Sequence, residues 1–160
     1  MPITLKALKP KEADFEPQTL GEHIRKRRLE LWLTQRQLGD RLGVSSNTVL
    51  NWERGHTDAP FQCIPAILGF LGYDPFPVAS GLPEHMLSKR RVMGWSIAKA
   101  ARHLGVDEGT WAAWERGETI LFREHRARIA RFLGLHAEAV HGEMAARWNR
   151  SHQEASNKKS

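Results

Sequence analysis

The stretch that decides the fold of this chain is LTQRQLGDRLGVSSNTVLNWERG, residues 33–55. Thr34 and Ser45 are residue types that cap helix N-termini, and each precedes a segment with apolar residues at helical spacing. Between the two segments, Gly43 permits the left-handed backbone of a tight turn. Two short helices joined by such a turn, with small or polar residues opening the second, describe a helix-turn-helix. We therefore expect an all-α bundle around this stretch.

The regions on either side of this stretch indicate where the bundle begins and ends. Residues 20–31 and 63–72 both keep apolar positions at helical spacing, and the second region stops at Gly72. Pro-rich sequence follows, whereas the two chain ends lack apolar periodicity. The sequence thus predicts a flexible tail over 1–17, a first domain over 18–73, a linker over 74–81 and a second flexible tail over 149–160.

The pattern of residues 20–72 returns 62 positions later without a gap. GVSSNTVLNWERG, residues 43–55, becomes GVDEGTWAAWERG, residues 105–117. The matching positions are mostly core, turn or cap positions, so both halves should share one fold. This repeat predicts a second domain over 82–148, with a further amphipathic helix in HAEAVHGEMAARW, residues 136–148. The predicted fold class is two tandem all-α bundles joined by a short Pro-rich linker.

Residues 33–55 closely resemble the helix-turn-helix of the Cro and lambda-repressor-like regulators, the XRE family. The Thr-Gln opening, the Gly-Val turn and the Trp-Glu-Arg-Gly ending carry the resemblance, which is strong over 20–72 and looser over 82–135. It implies a sequence-specific transcriptional regulator that inserts the helix after Ser45 into the major groove of double-stranded operator DNA. It also implies a homodimer on a palindromic operator, or a pseudo-dimer formed by the two halves of one chain.

The resemblance assigns roles to polar residues of the first repeat. Four residues fall where the family touches base edges: Ser46, Asn47, Thr48 and Asn51. A carboxamide among them can bond bidentately to adenine. Three residues are phosphate candidates: Gln35, Arg36 and Arg25. Two further pairs recur at one spacing in both halves and are expected to be structural ion pairs: Arg28 with Glu53, and Arg90 with Glu115.

The second repeat keeps the predicted frame but changes the reading residues. Glu108, Gly109 and Ala113 stand where the first repeat has Ser46, Asn47 and Asn51, and Ile97 replaces Gln35. We therefore expect that the second repeat does not read DNA as the first does and supports dimerisation, a backbone contact or a partner.

Apolar residues in the second repeat point to a protein interface. This predicted interface comprises Trp95, Ile97 and Trp111; the alternative is that Trp111 replaces Val49 in the core. Trp32 stands where the second repeat has Gly94, and is expected to be either a partner contact or a core residue.

The composition excludes several other classes of function. Lys and Arg outnumber Asp and Glu by 24 to 18, which favours a polyanionic partner. No apolar run reaches the roughly 20 residues that span a bilayer, so we expect no membrane partner and a cytoplasmic bacterial protein, nucleoid-associated when bound to DNA. The single cysteine and the spacing of the eight histidines indicate no metal site. No nucleophile, phosphate-loop or carboxylate-pair motif is present, so we expect no catalytic residues, no enzyme activity and no cofactor. The competing interpretation is a protein-binding regulator, similar to an antiactivator, that uses the same fold as a docking surface.

Overall fold

The computed structural model describes residues 11–119, 121–136 and 140. Contacts divide the chain into two compact units, Met1–Pro77 and Val78–Ser160. Within the described ranges the regular structure is helical, and no strand is present. The all-α class expected from the sequence is therefore confirmed.

The first unit contains four α-helices: α1 (Leu20–Glu30), α2 (Gln35–Leu42), α3 (Ser46–Glu53) and α4 (Ile64–Leu71). Local chemistry sets their starts, because Thr19, Thr34 and Ser45 each accept a backbone N–H from the first turn of the helix that follows. Gly43 ends α2 in the left-handed conformation, with φ of 71°. The turn between α2 and α3 is thus the tight turn that the sequence predicted.

The core of the first unit brings all four helices together. Its fully buried apolar side chains are Ile24, Leu38, Val49, Trp52, Ile64, Ile67 and Leu71. Helix α1 approaches α3 closely at Gly21, where an added Cβ would lie only 1.9 Å from the carbonyl oxygen of Trp52. The end of α3 is therefore held tightly against the start of α1.

The segments at both ends of the first unit differ from their prediction. Lys11–Ala13 forms a short 3-10 helix, and Ala13 is buried. The Phe15 carbonyl accepts a hydrogen bond of 2.8 Å from Lys26. At the other end, Phe76 packs against the core although it falls in the predicted linker. Residues 11–17 and 76 therefore belong to the packed unit, while residues 1–10 and the predicted tail 149–160 lie outside the described residues.

The second unit contains α5 (Leu82–Met93), α6 (Ile97–Leu104), α7 (Glu108–Arg116) and α8 (Arg123–Leu133). Its core is built from Met86, Ala100, Ala101, Leu104, Trp111, Trp114, Leu121, Ile129, Ala130 and Val140, with Leu82 at the edge. Gly94, Gly105 and Gly117 end the first three helices in the left-handed conformation. The helix predicted over 136–148 lies outside the described residues apart from His136 and Val140.

The turn after α1 distinguishes between the two roles that the sequence allowed for Trp32, a partner contact or a core residue. Its side chain is 65% exposed, so Trp32 is not a core residue. Its backbone has a φ of 56°, close to the 64° of Gly94 in the second unit. The two turns therefore have similar backbones but carry very different side chains.

Candidate nucleic-acid interface

Helix α3 has one buried face and one polar face. Val49 and Trp52 are buried, whereas Ser46 and Asn47 are exposed and Asn51 is half-buried. Among the described residues, the side chains of Ser46, Asn47 and Asn51 have no hydrogen-bond partner in the protein. These three side chains are therefore available to bond an external ligand.

Thr48, which was predicted with the base-reading residues, takes part in the N-terminal cap of α3. Its hydroxyl lies 2.9 Å from the hydroxyl of Ser45, and its backbone N–H donates to the same Ser45 oxygen. Thr48 is half-buried. Its observed role is thus in the helix cap, and base contact by Thr48 stays a prediction.

Gln35, the predicted phosphate contact, is bonded within the protein. Its Nε2 donates to Oε2 of Glu53 at 2.9 Å. A carboxamide nitrogen carries two N–H donors, so one is left for a second acceptor. Gln35 therefore supports the end of α3 and keeps one donor with which it can meet a phosphate.

The basic residues of the first unit differ in how far their charge is compensated. Arg36 is exposed and has no protein partner within the described ranges. Arg25 is exposed and lies with its guanidinium carbon 5.8 Å from the ring centre of Phe15, and Glu22 opposes its positive charge only weakly. In contrast, Lys26 and Arg27 lie 3.7 Å and 3.8 Å from glutamate oxygens. Arg36 and Arg25 are thus the better phosphate candidates of this region.

Arg54 is a phosphate candidate that the sequence reasoning missed. It follows α3 directly, is exposed, and has no ion-pair partner in the part of the chain that the structure describes. Its counterpart Arg116 is instead paired with Glu118 at 2.5 Å. The sequence gives no separate indication of this role for Arg54, because Arg54 and Arg116 both belong to the Trp-Glu-Arg-Gly ending that the two repeats share.

The two expected ion pairs are present with the same geometry. Nε and Nη2 of Arg28 donate to the Glu53 carboxylate at 2.5 Å and 2.9 Å. The equivalent bonds from Arg90 to Glu115 measure 2.7 Å and 2.9 Å. Each arginine also donates to a carbonyl in the turn that precedes the second helix of its unit. Since all four residues are largely buried, each pair fixes the first helix, the turn and the third helix to one another.

The start of α7 carries negative charge where α3 starts with neutral polar groups. The Asp107 carboxylate accepts hydrogen bonds from the hydroxyl and the backbone N–H of Thr110, which hold the pKa of Asp107 below its usual value. Glu108 beside it is exposed, and Gly109 and Ala113 offer no polar side chain. The negative charge at this surface opposes a phosphate backbone, whereas the start of α3 carries no such charge.

The predicted protein interface of the second unit is wrong for Trp111. Its side chain is fully buried, and it occupies the core position that Val49 has in the first unit. Trp95 and Ile97 are half-buried and pack against the same core. Trp95 also lies 5.0 Å from the amino group of Lys99. The periodicity placed Trp111 on an inward position, and its large side chain is accommodated there.

Among the described residues, no group of three or more His, Cys, Asp or Glu side chains is arranged to hold a metal ion. In the same residues no helix has the length and apolar character needed to cross a bilayer.

The capped pair of helices, the left-handed glycine between them and the polar face of the second helix define a helix-turn-helix domain in the first unit. Residues 24–76 match the family model for a helix-turn-helix, and these residues lie within the first unit. No match was found among curated proteins or among solved structures. The first unit therefore carries a helix-turn-helix domain similar to those of the Cro and lambda-repressor-like type, a kind of domain found in DNA-binding regulators.

Proposed function

We propose that this protein is a sequence-specific transcriptional regulator that reads operator DNA in the major groove with α3. The observation that carries the proposal is the polar face of α3, where Ser46, Asn47 and Asn51 have no hydrogen-bond partner among the described residues. Its opposite face is anchored in the core through Val49 and Trp52. A rigid helix that presents unpaired donors and acceptors is suited to hydrogen-bond the edges of bases.

The three polar residues occupy different positions along α3 and would therefore contact different base pairs. Ser46 and Asn47 open the helix, where helix-turn-helix proteins contact base edges, and Asn51 follows one turn later. The carboxamide of Asn47 or Asn51 offers one donor and one acceptor, which match N6 and N7 of adenine. We therefore expect at least one adenine in the core of the operator.

Phosphate contacts position this helix. Arg36 and Arg54 bring positive charge that no acidic side chain of the described residues compensates, and the charge of Arg25 is opposed only weakly, by Glu22. Gln35 adds one free amide N–H. Such contacts add affinity without sequence information and make binding depend on salt concentration.

In this proposal the second unit is a divergent copy of the same domain with a supporting role. Its acidic start of α7 opposes a phosphate backbone, but α8 carries Arg123, Arg126, Arg128 and Arg131 against a single Glu124. The equivalent α4 of the first unit has no charged residue. The second unit therefore adds affinity through a nonspecific phosphate contact on α8 or by joining two chains into a dimer, which links two small reading heads.

A protein-binding regulator is the second candidate function. It is favoured by Val92 and Met93, two apolar residues at the end of α5 that are 48% and 37% exposed. Because apolar contacts depend less on salt than phosphate contacts do, the two candidates differ in their response to ionic strength.

Selection of random duplex DNA by the purified full chain tests the proposal. The double variant Asn47→Ala, Asn51→Ala removes the carboxamides of α3, and Glu108→Ala is the matched change at the start of α7. We expect a motif that the double variant loses and that Glu108→Ala leaves unchanged. A motif altered by Glu108→Ala would mean that both units read DNA, and no enriched motif from a folded protein would contradict the DNA-reading function.

A further inference from the structure

Trp32 is the one backbone outlier of the described residues that sequence and packing leave unexplained. Among these residues it is the only non-glycine residue with a positive φ, and the left-handed region is unfavourable for a bulky side chain. Its side chain is 65% exposed, so core packing does not offset the strain. The equivalent turn of the second unit uses Gly94, which adopts this conformation without strain. A feature that costs stability and adds no packing points to a role outside the fold.

The hydrogen bonds around Trp32 hold its backbone in this conformation. The N–H groups of Trp32 and Leu33 donate to the carbonyls of Leu29 and Arg28, both at 3.0 Å. The Leu33 carbonyl in turn accepts a bond of 2.9 Å from the Arg28 side chain. These hydrogen bonds therefore fix the backbone from which the indole projects.

This position lies beside the end of the proposed reading helix. The Arg28 side chain that binds the turn also binds Glu53, the last residue of α3. Gln35, the first residue of α2, donates to the same carboxylate. The buried carboxylate of Glu53 thus connects three segments: the turn that carries Trp32, the start of α2 and the end of α3.

We propose that Trp32 contacts the sugar-phosphate backbone at the edge of the groove that α3 enters, an inference that rests on the proposed DNA-reading function. An α-helix with its side chains is about 10–12 Å across, and the major groove is about 12 Å wide. The turn of Trp32 directly precedes the start of α2, where Gln35 and Arg36 are the phosphate candidates, so the DNA backbone that these two residues reach also passes the turn. The indole N–H donates to a phosphate oxygen, and the ring covers the adjoining deoxyribose.

The surroundings of Trp32 fit a polyanion better than a protein partner. Thr34, Gln35 and Arg36 follow it, and Arg36 is exposed with its charge uncompensated within the described ranges. The only apolar neighbour in the turn with comparable exposure is Leu31, at 40%. Two apolar side chains are far fewer than the roughly 20–30 residues per side of a stable protein interface.

The test measures DNA affinity and stability on the same variants of the full chain. Trp32→Gly introduces the residue found at the equivalent turn, which removes the side chain and the strain together. Trp32→Phe keeps a ring but removes the N–H donor. Phe122→Ala is the matched control, because Phe122 is an aromatic residue of the second unit with a similar exposure of 69%. The probe is the duplex selected by the wild-type protein, alongside a scrambled duplex.

We expect Trp32→Gly to weaken binding roughly three- to tenfold on both duplexes, as loss of a backbone contact does. The selected motif should be unchanged, the melting temperature should not fall, and Trp32→Phe should lose less. Wild-type affinity in Trp32→Gly would overturn the inference. An unchanged affinity accompanied by loss of a dimer would overturn it in favour of a protein contact. If the wild-type chain selects no motif, the proposed function itself fails, and this is seen before any variant is compared.

Discussion

The indole N–H of Trp111 lies 2.6 Å from Oε1 of Glu115, one turn further along α7. This bond supplies the third donor of a buried carboxylate, as the amide of Gln35 does for Glu53 in the first unit. An arginine supplies the other two donors in both units. Because Ile97 replaces Gln35 in the second repeat and has no donor, Trp111 supplies the donor from α7 itself, whereas Gln35 supplies it to Glu53 from α2. The two units thus satisfy an equivalent buried charge by different means.

Arg28→Ala should strongly destabilise the first unit. Removing one partner leaves Glu53 buried with only the Gln35 bond, and breaking a buried pair in this way costs about 3–5 kcal/mol of unfolding free energy. Urea unfolding followed by circular dichroism measures the change. Arg36→Ala, which removes an exposed arginine of the same unit, should stay within about 0.5 kcal/mol. A loss below about 1 kcal/mol in Arg28→Ala would show that the pair does not support the fold.

Trp111→Ala should destabilise the second unit as a core substitution. Removing the fully buried indole leaves a cavity and removes the hydrogen bond that its N–H donates to Glu115, so we expect a loss of about 3–5 kcal/mol in the same unfolding measurement. Phe122→Ala removes an exposed aromatic side chain and should change stability by less than about 0.5 kcal/mol. A loss below about 1 kcal/mol in Trp111→Ala would show that this side chain does not support the core.

How much of this structure the sequence predicts depends on whether a feature is local. The caps at Thr34 and Ser45 and the glycine turn between them depend on neighbouring residues, and the sequence predicted all three. The bond from Gln35 to Glu53 joins residues 18 positions apart, and no local pattern indicates it. For the same reason the resemblance gave Gln35 a phosphate role but not its second partner.

Two further differences arise from packing rather than pattern. Residues 11–17 have no apolar periodicity, yet the burial of Ala13 and the contact of Phe15 with α1 attach them to the first unit. The apolar character of Trp111 suggested a protein interface, whereas its helical spacing matched the core position of Val49. Helical spacing determines which positions of a helix face the core, and the packing of the core adapts to the side chains at those positions.

Acidification should weaken the first unit through His23. Its Nδ1 lies 2.8 Å from the hydroxyl of Tyr73, and burial lowers the pKa of His23, with smaller effects from the neighbouring Glu22, Lys26 and Glu16. A lowered pKa means that the unfolded chain binds the proton more readily. The stability that neutral His23 contributes is thus present above about pH 6.5 and is lost as the pH falls below it.

Thermal unfolding between pH 8 and pH 5 measures this effect. His23→Gln should flatten part of the pH dependence, whereas His56→Gln, at an exposed histidine of the same unit, should leave the curve unchanged. Equal curves for wild type and His23→Gln would contradict the prediction.

The double variant Arg123→Ser, Arg131→Ser should reduce the salt dependence of DNA binding if α8 contacts phosphates. Both side chains are exposed, and within the described residues neither has an acidic partner. Each lost phosphate contact lowers the slope of log K against log salt by about 0.9. Fluorescence anisotropy over a series of salt concentrations gives the slope. Arg116→Ser removes an arginine already paired with Glu118 and should leave the slope unchanged, and an equal slope in the double variant would exclude this role for α8.

Ser46→Glu should separate the fold of the first unit from its ability to read DNA. The substitution gives α3 the carboxylate that α7 has at Glu108, and a negative charge in the first turn suits the helix dipole, so the melting temperature should be unchanged or slightly higher. The same carboxylate opposes the phosphates on either side of the groove, and like charges brought together at an interface cost enough to weaken binding by roughly tenfold or more. Anisotropy with the selected duplex measures the loss. The reverse change, Glu108→Ser, should leave affinity and motif unchanged if only the first unit reads. Tight binding by Ser46→Glu would mean that the start of α3 does not approach the DNA, and the reading residues would then have to be sought elsewhere on the unit.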